Sequence, residues 1–265
     1  MKLIKVVVCI LLLAVSAGAA PLELREGDVV AFVGGTDMVR MQNDGRLEAA
    51  LTYDSMDASP RFRDLAWDGD TVYFQSTVGE RWREEAFGDL GEQLDKVGAT
   101  VVISQFGKIE SLDGVDQLGA FIEAYGDLIE TFSLNGRRVL ILGPSPFEWD
   151  GVGDRSLKEY TRAIEKLATQ QDVPFVSAEA ENPVGSFIRA LGSGAEIPDT
   201  LLSSVREKHR LWYEYWRPAN WKCLFGDDSL RIFSNAAEGL PSFKEEWSIY
   251  PSLITEAEAR IFEGR

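Results

Sequence analysis

The stretch that most constrains the fold is an apolar run, residues 29–33, which leads directly into Gly34, Gly35, Thr36 and Asp37. A continuous apolar run that stops at glycine is typical of a buried parallel strand, and the glycines let the chain turn sharply at its carboxyl end. In open α/β sheets, ligands bind in the crevice beyond those strand ends. We therefore predict a buried strand here. Thr36 and Asp37 then belong either to a binding site or to a plain strand-to-helix turn.

Strand-like and helix-like segments alternate along the chain that follows. Further strands are predicted at 61–67, 100–107, 137–144 and 173–177, and helices near 47–51, 87–97, 115–132 and 157–167. The last of these helices is expected to open with a capping box from Ser156 to Glu159. Strands that alternate with helices indicate parallel βαβ units. The predicted fold class is α/β, a three-layer α/β/α sandwich over residues 22–195.

The remainder, residues 196–265, is predicted to be a helical, aromatic-rich extension packed on that domain. Its apolar residues recur every three or four positions and predict a long helix over 199–216, followed by an irregular aromatic stretch and a final helix over 252–263. The recurring positions are Leu202, Val205, His209, Trp212 and Trp216. We interpret the aromatic side chains as packing residues rather than as a ligand site.

The first 19 residues have the pattern of a secretory signal peptide. Lys2 and Lys5 lie at the start of a short apolar run, and small residues follow up to Ala19. The apolar run is short for a membrane span, although an uncleaved anchor is the alternative. We expect a periplasmic or secreted protein with no membrane span after signal removal. Cys223 is then the only thiol, which excludes an internal disulfide and a cysteine-rich zinc site.

The charge balance narrows the classes of partner. The formal net charge is −16 at pH 7 with a pI of about 4.6. Such an acidic surface repels nucleic acid, so no nucleic-acid partner is expected. No pattern of residues calls for a cofactor or a metal ion, and none is predicted.

Three short stretches together resemble the sequence blocks of a known hydrolase family. The first is Gly34-Gly35-Thr36, the second is residues 63–71 (Arg-Asp-Leu-Ala-Trp-Asp-Gly-Asp-Thr), and the third is residues 105–111 (Gln-Phe-Gly-Lys-Ile-Glu-Ser). A further likeness covers residues 216–226. The chain thereby resembles the SGNH (GDSL-type) hydrolases, specifically secreted bacterial members. This resemblance implies a parallel five-stranded, flavodoxin-like sheet and an ester-hydrolase ancestry.

The resemblance also implies a catalytic arrangement that this chain does not retain. Family members use a first-block serine, which is Thr36 here, and hold the oxyanion partly with a second-block glycine N–H and a third-block asparagine. Ala66 stands at the glycine position and is expected to keep a usable N–H, whereas Ile109 at the asparagine position has no donor. The candidate cleft around Thr36 comprises Gly34, Gly35, Asp37, Ala66, Trp67, Asp68, Gly69, Asp70, Gly107, Ile109 and Glu110.

The functional interpretation depends on the histidine that family members use as the catalytic base, which has no counterpart at the expected position in this chain. His209 is the only histidine and lies on the long C-terminal helix rather than after the last strand. We therefore predict an exported, catalytically degenerate relative that binds a small acyl or carbohydrate ligand or a protein partner. The alternatives are a weak ester hydrolase with Thr36 as nucleophile and a structural or interaction domain.

The carboxylates of the candidate cleft leave one further question open. Asp37, Asp68, Asp70 and Glu110 all follow predicted strands at one edge of the sheet. They form either an acid–base pair or cation site, or merely helix caps and solvated loops.

Overall fold

The computed structural model describes residues 22–73, 87–148, 154–179, 181–218, 221–224 and 243–263. The predicted signal peptide and the aromatic residues Trp149, Phe225 and Phe233 lie outside these ranges. In the described part of the chain, no helix combines the length and the hydrophobicity that crossing a bilayer requires.

Five parallel strands form one sheet in the order β2-β1-β3-β4-β5. The strands are β1 (Val29–Gly34), β2 (Arg61–Asp64), β3 (Val101–Gln105), β4 (Arg138–Leu142) and β5 (Phe175–Val176). This 2-1-3-4-5 order is the flavodoxin-like arrangement of a doubly wound sheet. The predicted three-layer α/β/α fold with a parallel five-stranded sheet is therefore confirmed.

Ten α-helices are described. They are α1 (Thr36–Asp44), α2 (Arg46–Asp54), α3 (Leu90–Lys96), α4 (Leu118–Ser133), α5 (Asp154–Gln170), α6 (Pro183–Ala190), α7 (Asp199–Trp216), α8 (Trp221–Leu224), α9 (Phe243–Ser248) and α10 (Tyr250–Phe262). Short 3₁₀ turns precede α4 and lie between α2 and β2.

One sequence expectation about helices is corrected. Helix α1 begins at Thr36, directly after the glycine pair, so Thr36 and Asp37 lie at the strand-to-helix turn that is one of their two predicted alternatives. The capping box at Ser156 is wrong because α5 already begins at Asp154, so Ser156 lies inside the first turn of the helix. Helix α7, by contrast, has the predicted bounds of 199–216.

The two faces of the sheet carry separate cores, because successive side chains along a strand point to opposite sides. Along β1, Ala31 and Val33 pack with residues of α3, α4 and α5. Val30 and Phe32 pack with residues of α1 and α2 and with Phe187 of α6 on the other face. All four β1 side chains are buried, which explains why the strand is apolar throughout.

The C-terminal helices add to these cores. Helix α7 contacts α1, α2, β2 and α10. Trp212 and Trp216 of α7, together with Ile254 and Ala257 of α10, lie in the same buried cluster as residues of α4 and α5. These side chains are core residues of the described fold.

A buried ion pair joins α7 to α2. Lys208 Nζ lies 2.5 Å from Glu48 Oε1, and both side chains are 3% exposed. Burial raises the pKa of Glu48, and the attraction of Lys208 opposes that rise. Each charge depends on its partner, because removing one partner leaves an uncompensated buried charge.

A second buried network joins α7 to the end of β2. Arg217 Nη2 donates to Asp64 Oδ2 at 2.8 Å and to the carbonyl oxygen of Ala66. His209 Nε2 lies 3.2 Å from Asn43 Oδ1 and 3.8 Å from Asp64 Oδ2. Burial lowers the pKa of His209 to about 4, against the opposing effect of the Asp64 carboxylate. The histidine is therefore neutral at pH 7 and packs as a core residue.

The glycine pair after β1 is required by its neighbours. A Cβ on Gly34 would overlap the carbonyl oxygen of Gln105, and a Cβ on Gly35 would overlap the carbonyl oxygen of Asp70. The φ of Gly35 is −89°, so the requirement for glycine is steric rather than conformational. The pair lets the turn into α1 lie directly against the chain that follows β2 and β3.

The lowered pKa of His209 predicts a pH-dependent loss of stability. The unfolded chain titrates near pH 6.5 and the folded histidine near pH 4, so the unfolded state binds more protons between these values. The free energy of unfolding should fall as the pH drops from 6.5 to 4, with a histidine contribution of up to about 3 kcal/mol. Urea unfolding of the wild type and of His209→Gln across this range measures it. Parallel pH profiles for the two proteins would contradict the assignment.

The close approach at Gly35 predicts a large cost for a single added methyl group. Gly35→Ala should lower the free energy of unfolding by about 1–3 kcal/mol, because the clash is with backbone that cannot rotate away. Gly119→Ala in α4 is the matched control, since a Cβ there meets nothing within 4 Å. Equal midpoints in chemical denaturation for Gly35→Ala and the wild type would refute the packing argument.

Candidate functional site

A cleft of about 150 Å³ opens at the carboxyl edge of the sheet, where α1 begins and the loops after β2, β3 and β4 meet. Its described lining residues are Gly35, Thr36, Asp37, Arg40, Asp70, Gln105, Phe106, Gly107, Lys108, Ile109, Glu110, Phe147 and Glu148. The position is the one expected for a ligand site in a doubly wound sheet. The volume lies below that of a typical drug-sized pocket, so the cleft suits a small group.

Thr36 is the first residue of α1 and its side chain lies at the cleft. Its Oγ1 accepts a hydrogen bond from the Gly69 backbone N–H at 3.1 Å. Within the described ranges, that is the hydrogen bond the hydroxyl makes; no imidazole or carboxylate lies within hydrogen-bond distance of it. The hydroxyl is therefore held by the loop after β2 and faces no base there.

Asp37, the next residue of α1, is fully engaged by its surroundings. Its Oδ1 accepts from Lys108 Nζ at 2.9 Å, and its Oδ2 accepts from the Ser145 backbone N–H at 3.1 Å. Lys108 also lies 5.4 Å from the centre of the Phe147 ring. The contacts of Asp37 with Lys108 and Ser145 join the start of α1 to the loops after β3 and β4. The charges of Asp37 and Lys108 neutralise each other.

The Glu110 carboxylate joins two loops through hydrogen bonds. It accepts from the Val72 N–H at 3.0 Å and from the Gly107 N–H at 2.9 Å. The residue is 3% exposed, and burial raises its pKa although these backbone donors favour the charged form. Of the open alternatives for this carboxylate, the geometry fits a structural cap, since both oxygens already hold backbone amides.

In the second sequence block, the Asp64 carboxylate is buried and binds neighbouring polar groups. Asp64 Oδ1 accepts from the Ala66 backbone N–H at 2.9 Å, and the other oxygen of Asp64 meets Arg217. The expectation that Ala66 keeps a usable N–H is therefore wrong, because the carboxylate two residues earlier already binds it. The Arg217 guanidinium lies 4.8 Å from the ring centre of Tyr213 and 5.9 Å from that of Trp67, which favours a buried cation.

The structure brings together seven of the predicted site residues at the cleft. They are Gly35, Thr36, Asp37, Asp70, Gly107, Ile109 and Glu110. The other predicted positions are not among the described lining residues, although Gly69 contacts Thr36 directly. These are Gly34, Ala66, Trp67, Asp68 and Gly69.

Six lining residues are absent from the prediction. Gln105, Phe106 and Lys108 lie within the quoted third block, so the block itself is a usable signal for them. Arg40 follows Thr36 by four residues, one helical turn, and the helix there is not predicted. The remaining two, Phe147 and Glu148, lie on the loop after β4 and carry no pattern that marks them.

His209 is not part of this cleft. It is 4% exposed, lies on α7, and meets Asn43 and Asp64 rather than Thr36. Among the described residues, no group of three or more histidine, cysteine or acidic side chains is arranged to hold a metal ion.

No family model matches the chain, and no curated protein sequence matches it. Among solved structures, the chain is similar to a catalytic mutant of an acetylxylan esterase from Geobacillus stearothermophilus, at 12% identity and a TM-score of 0.48. That match covers 64% of this chain and 97% of the esterase.

The chain is also similar to the solved structure of a gut microbial diltiazem-metabolizing enzyme, at 18% identity and a TM-score of 0.44. The match covers 60% of this chain, which spans only 39% of that enzyme. At such identities a likeness concerns the fold alone. The strand order of the sheet gives this chain a doubly wound, flavodoxin-like α/β/α fold, which is the fold class implied by the sequence resemblance.

Proposed function

We propose that this chain is an exported, catalytically degenerate SGNH-hydrolase-like protein that binds a small acyl or carbohydrate ligand in the cleft beside Thr36. The observation that carries the proposal is the environment of the Thr36 hydroxyl. A hydroxyl nucleophile needs a neighbouring base to take its proton. The Gly69 N–H binds the oxygen of Thr36, and the one histidine of the chain lies buried on α7, against Asn43 and Asp64.

The oxyanion side of the site supports the same proposal. The Ala66 N–H is bound by Asp64, and Ile109 offers an apolar side chain where the family has an amide. Loss of one such donor costs about 10²–10³ in rate, and loss of the base costs several orders of magnitude. Together these changes leave no efficient route for acyl transfer.

The walls of the cleft support ligand binding. Phe106, Ile109 and Phe147 supply apolar surface to the cleft. Lys108 compensates the charge of Asp37, and backbone donors hold Glu110. A small, mostly apolar group fits such a surface better than a strongly charged one.

Export is part of the proposal and rests on the N-terminal pattern. A basic start, a short apolar run and small residues up to Ala19 are typical of a cleaved signal. We place the mature protein in the periplasm or outside the cell.

The inactive-site proposal predicts no Thr36-dependent turnover. Purified protein should hydrolyse p-nitrophenyl acetate no faster than a matched amount of Thr36→Ala, because no described group activates the hydroxyl. Thr131→Ala is the control, since Thr131 lies on the exposed side of α4 and its hydroxyl donates to Asp127. Release of nitrophenolate, followed by absorbance, measures the rate.

Turnover that falls tenfold or more in Thr36→Ala but not in Thr131→Ala would establish a weak ester hydrolase instead. NMR titration with propyl butanoate and with xylose tests the proposed ligand binding separately. Saturable shifts of the Gly35 and Gly107 amide signals support it, and the absence of shifts with both probes contradicts it.

A further inference from the structure

A second cavity, of about 240 Å³, is lined by residues from the end of α7 and from α9 and α10. It shares no described lining residue with the cleft beside Thr36, so the ligand of that cleft does not account for it. Four of its described lining residues are aromatic: Tyr213, Phe243, Trp247 and Tyr250. All four are half-buried, so each keeps surface that a ligand can contact.

Two of these aromatic side chains are oriented by hydrogen bonds. Trp247 Nε1 donates to the Tyr215 carbonyl oxygen at 3.0 Å, and the two rings stack with their centres 4.8 Å apart. The Tyr250 hydroxyl donates to Glu214 Oε2. Because these side chains are already held in place, a ligand does not have to order them on binding.

The carboxylates of the cavity outnumber the cations that pair with them. Glu214 shares the guanidinium of Arg210 with Glu207, at 2.8 and 2.9 Å respectively, so two carboxylates meet one cation. Glu246 is exposed and makes no ion pair or side-chain hydrogen bond with another described residue. The cavity therefore has an excess of negative charge.

Arg217 also lines the cavity, but its charge is already compensated. Its side chain is 5% exposed, and Nη2 donates to Asp64 Oδ2 at 2.8 Å. Its guanidinium lies 4.8 Å from the centre of the Tyr213 ring, so this ring already has a cation. The other three aromatic side chains remain for a ligand.

The pKa of Tyr250 reflects the same negative charge. The hydrogen bond to Glu214 and then burial raise this pKa to about 12, and the charges of Glu214 and Glu246 add to the rise against the opposing effect of Arg210. Nearby carboxylates disfavour a phenolate, and they favour a cation at the same place.

We propose that this cavity binds a small organic cation of the alkylated ammonium class. Aromatic ring faces attract such a cation, and its alkyl groups bury against the same rings. Glu246 supplies the counter-charge at the rim. A sugar ring also stacks on aromatic side chains, but it gains nothing from the excess negative charge, so the charge favours the cation.

The experiment compares choline with 3,3-dimethylbutan-1-ol, its uncharged isostere, by NMR titration of the full mature chain. The reporter is the indole N–H of Trp247, which lines the cavity. The wild type should bind choline about tenfold more tightly than the alcohol, the effect of a cation on aromatic rings beside a carboxylate.

Two charge-neutralising variants locate the counter-charge. Glu246→Gln should weaken choline binding about threefold and leave binding of the alcohol unchanged, because it removes one exposed charge and keeps the shape. Glu256→Gln is the matched control, since Glu256 is an exposed carboxylate on α10 outside the described lining. It should keep the wild-type affinity for choline.

Each other outcome overturns the proposal. Equal affinities for choline and the alcohol would show that charge does not select the ligand. Equal weakening of choline binding by the two variants would reflect only the net charge of −16. A Trp247 signal that shifts with glucose but not with choline would identify a carbohydrate site instead. A signal that shifts with none of the three probes would show that the cavity binds no such ligand.

Discussion

The close approach of three backbone segments at the end of β1 is the constraint on which the site depends. Gly34 leaves room for the carbonyl of Gln105 on one side, and Gly35 leaves room for the carbonyl of Asp70 on the other. Because no side chain separates these segments, α1 starts at once and Thr36 lies between the loops after β2 and β3. This tight packing places Thr36 at the cleft.

The polar groups at this edge bind one another rather than a reacting molecule. Asp64 binds the Ala66 N–H and is neutralised by Arg217, while Glu110 binds two backbone N–H groups of neighbouring loops. Each bond satisfies a buried group that would otherwise destabilise the fold. These polar groups therefore stabilise the loops at the carboxyl edge of the sheet.

Much of the fold follows from local patterns in the sequence. The apolar run of β1 and the spacing of α7 each reflect burial that repeats with a fixed period, so strand and helix are predictable there. Helix α1 was not predictable in this way, because it follows a glycine pair with no capping side chain. The capping box at Ser156 failed because α5 begins three residues earlier than that local motif suggests.

The candidate site was predictable only where residues adjoin the three blocks. Thr36 and Glu110 lie on the segments that follow β1 and β3, and parallel strand ends share an edge of the sheet. Lys108 and Phe147 meet only through tertiary packing, and no spacing along the chain encodes that contact. The occupation of the Ala66 N–H by Asp64 likewise depends on a local backbone geometry that residue identity does not reveal.

Among the described residues no group is placed to activate the Thr36 hydroxyl, and covalent labelling is a direct test of whether that hydroxyl is inert. A fluorophosphonate ester reacts with hydroxyl groups that a neighbouring base has activated, and intact-mass spectrometry detects the adduct. The account predicts no mass increase after prolonged incubation at pH 8 with a large excess of the reagent. A single stoichiometric adduct, located at Thr36 by peptide mapping, would contradict it.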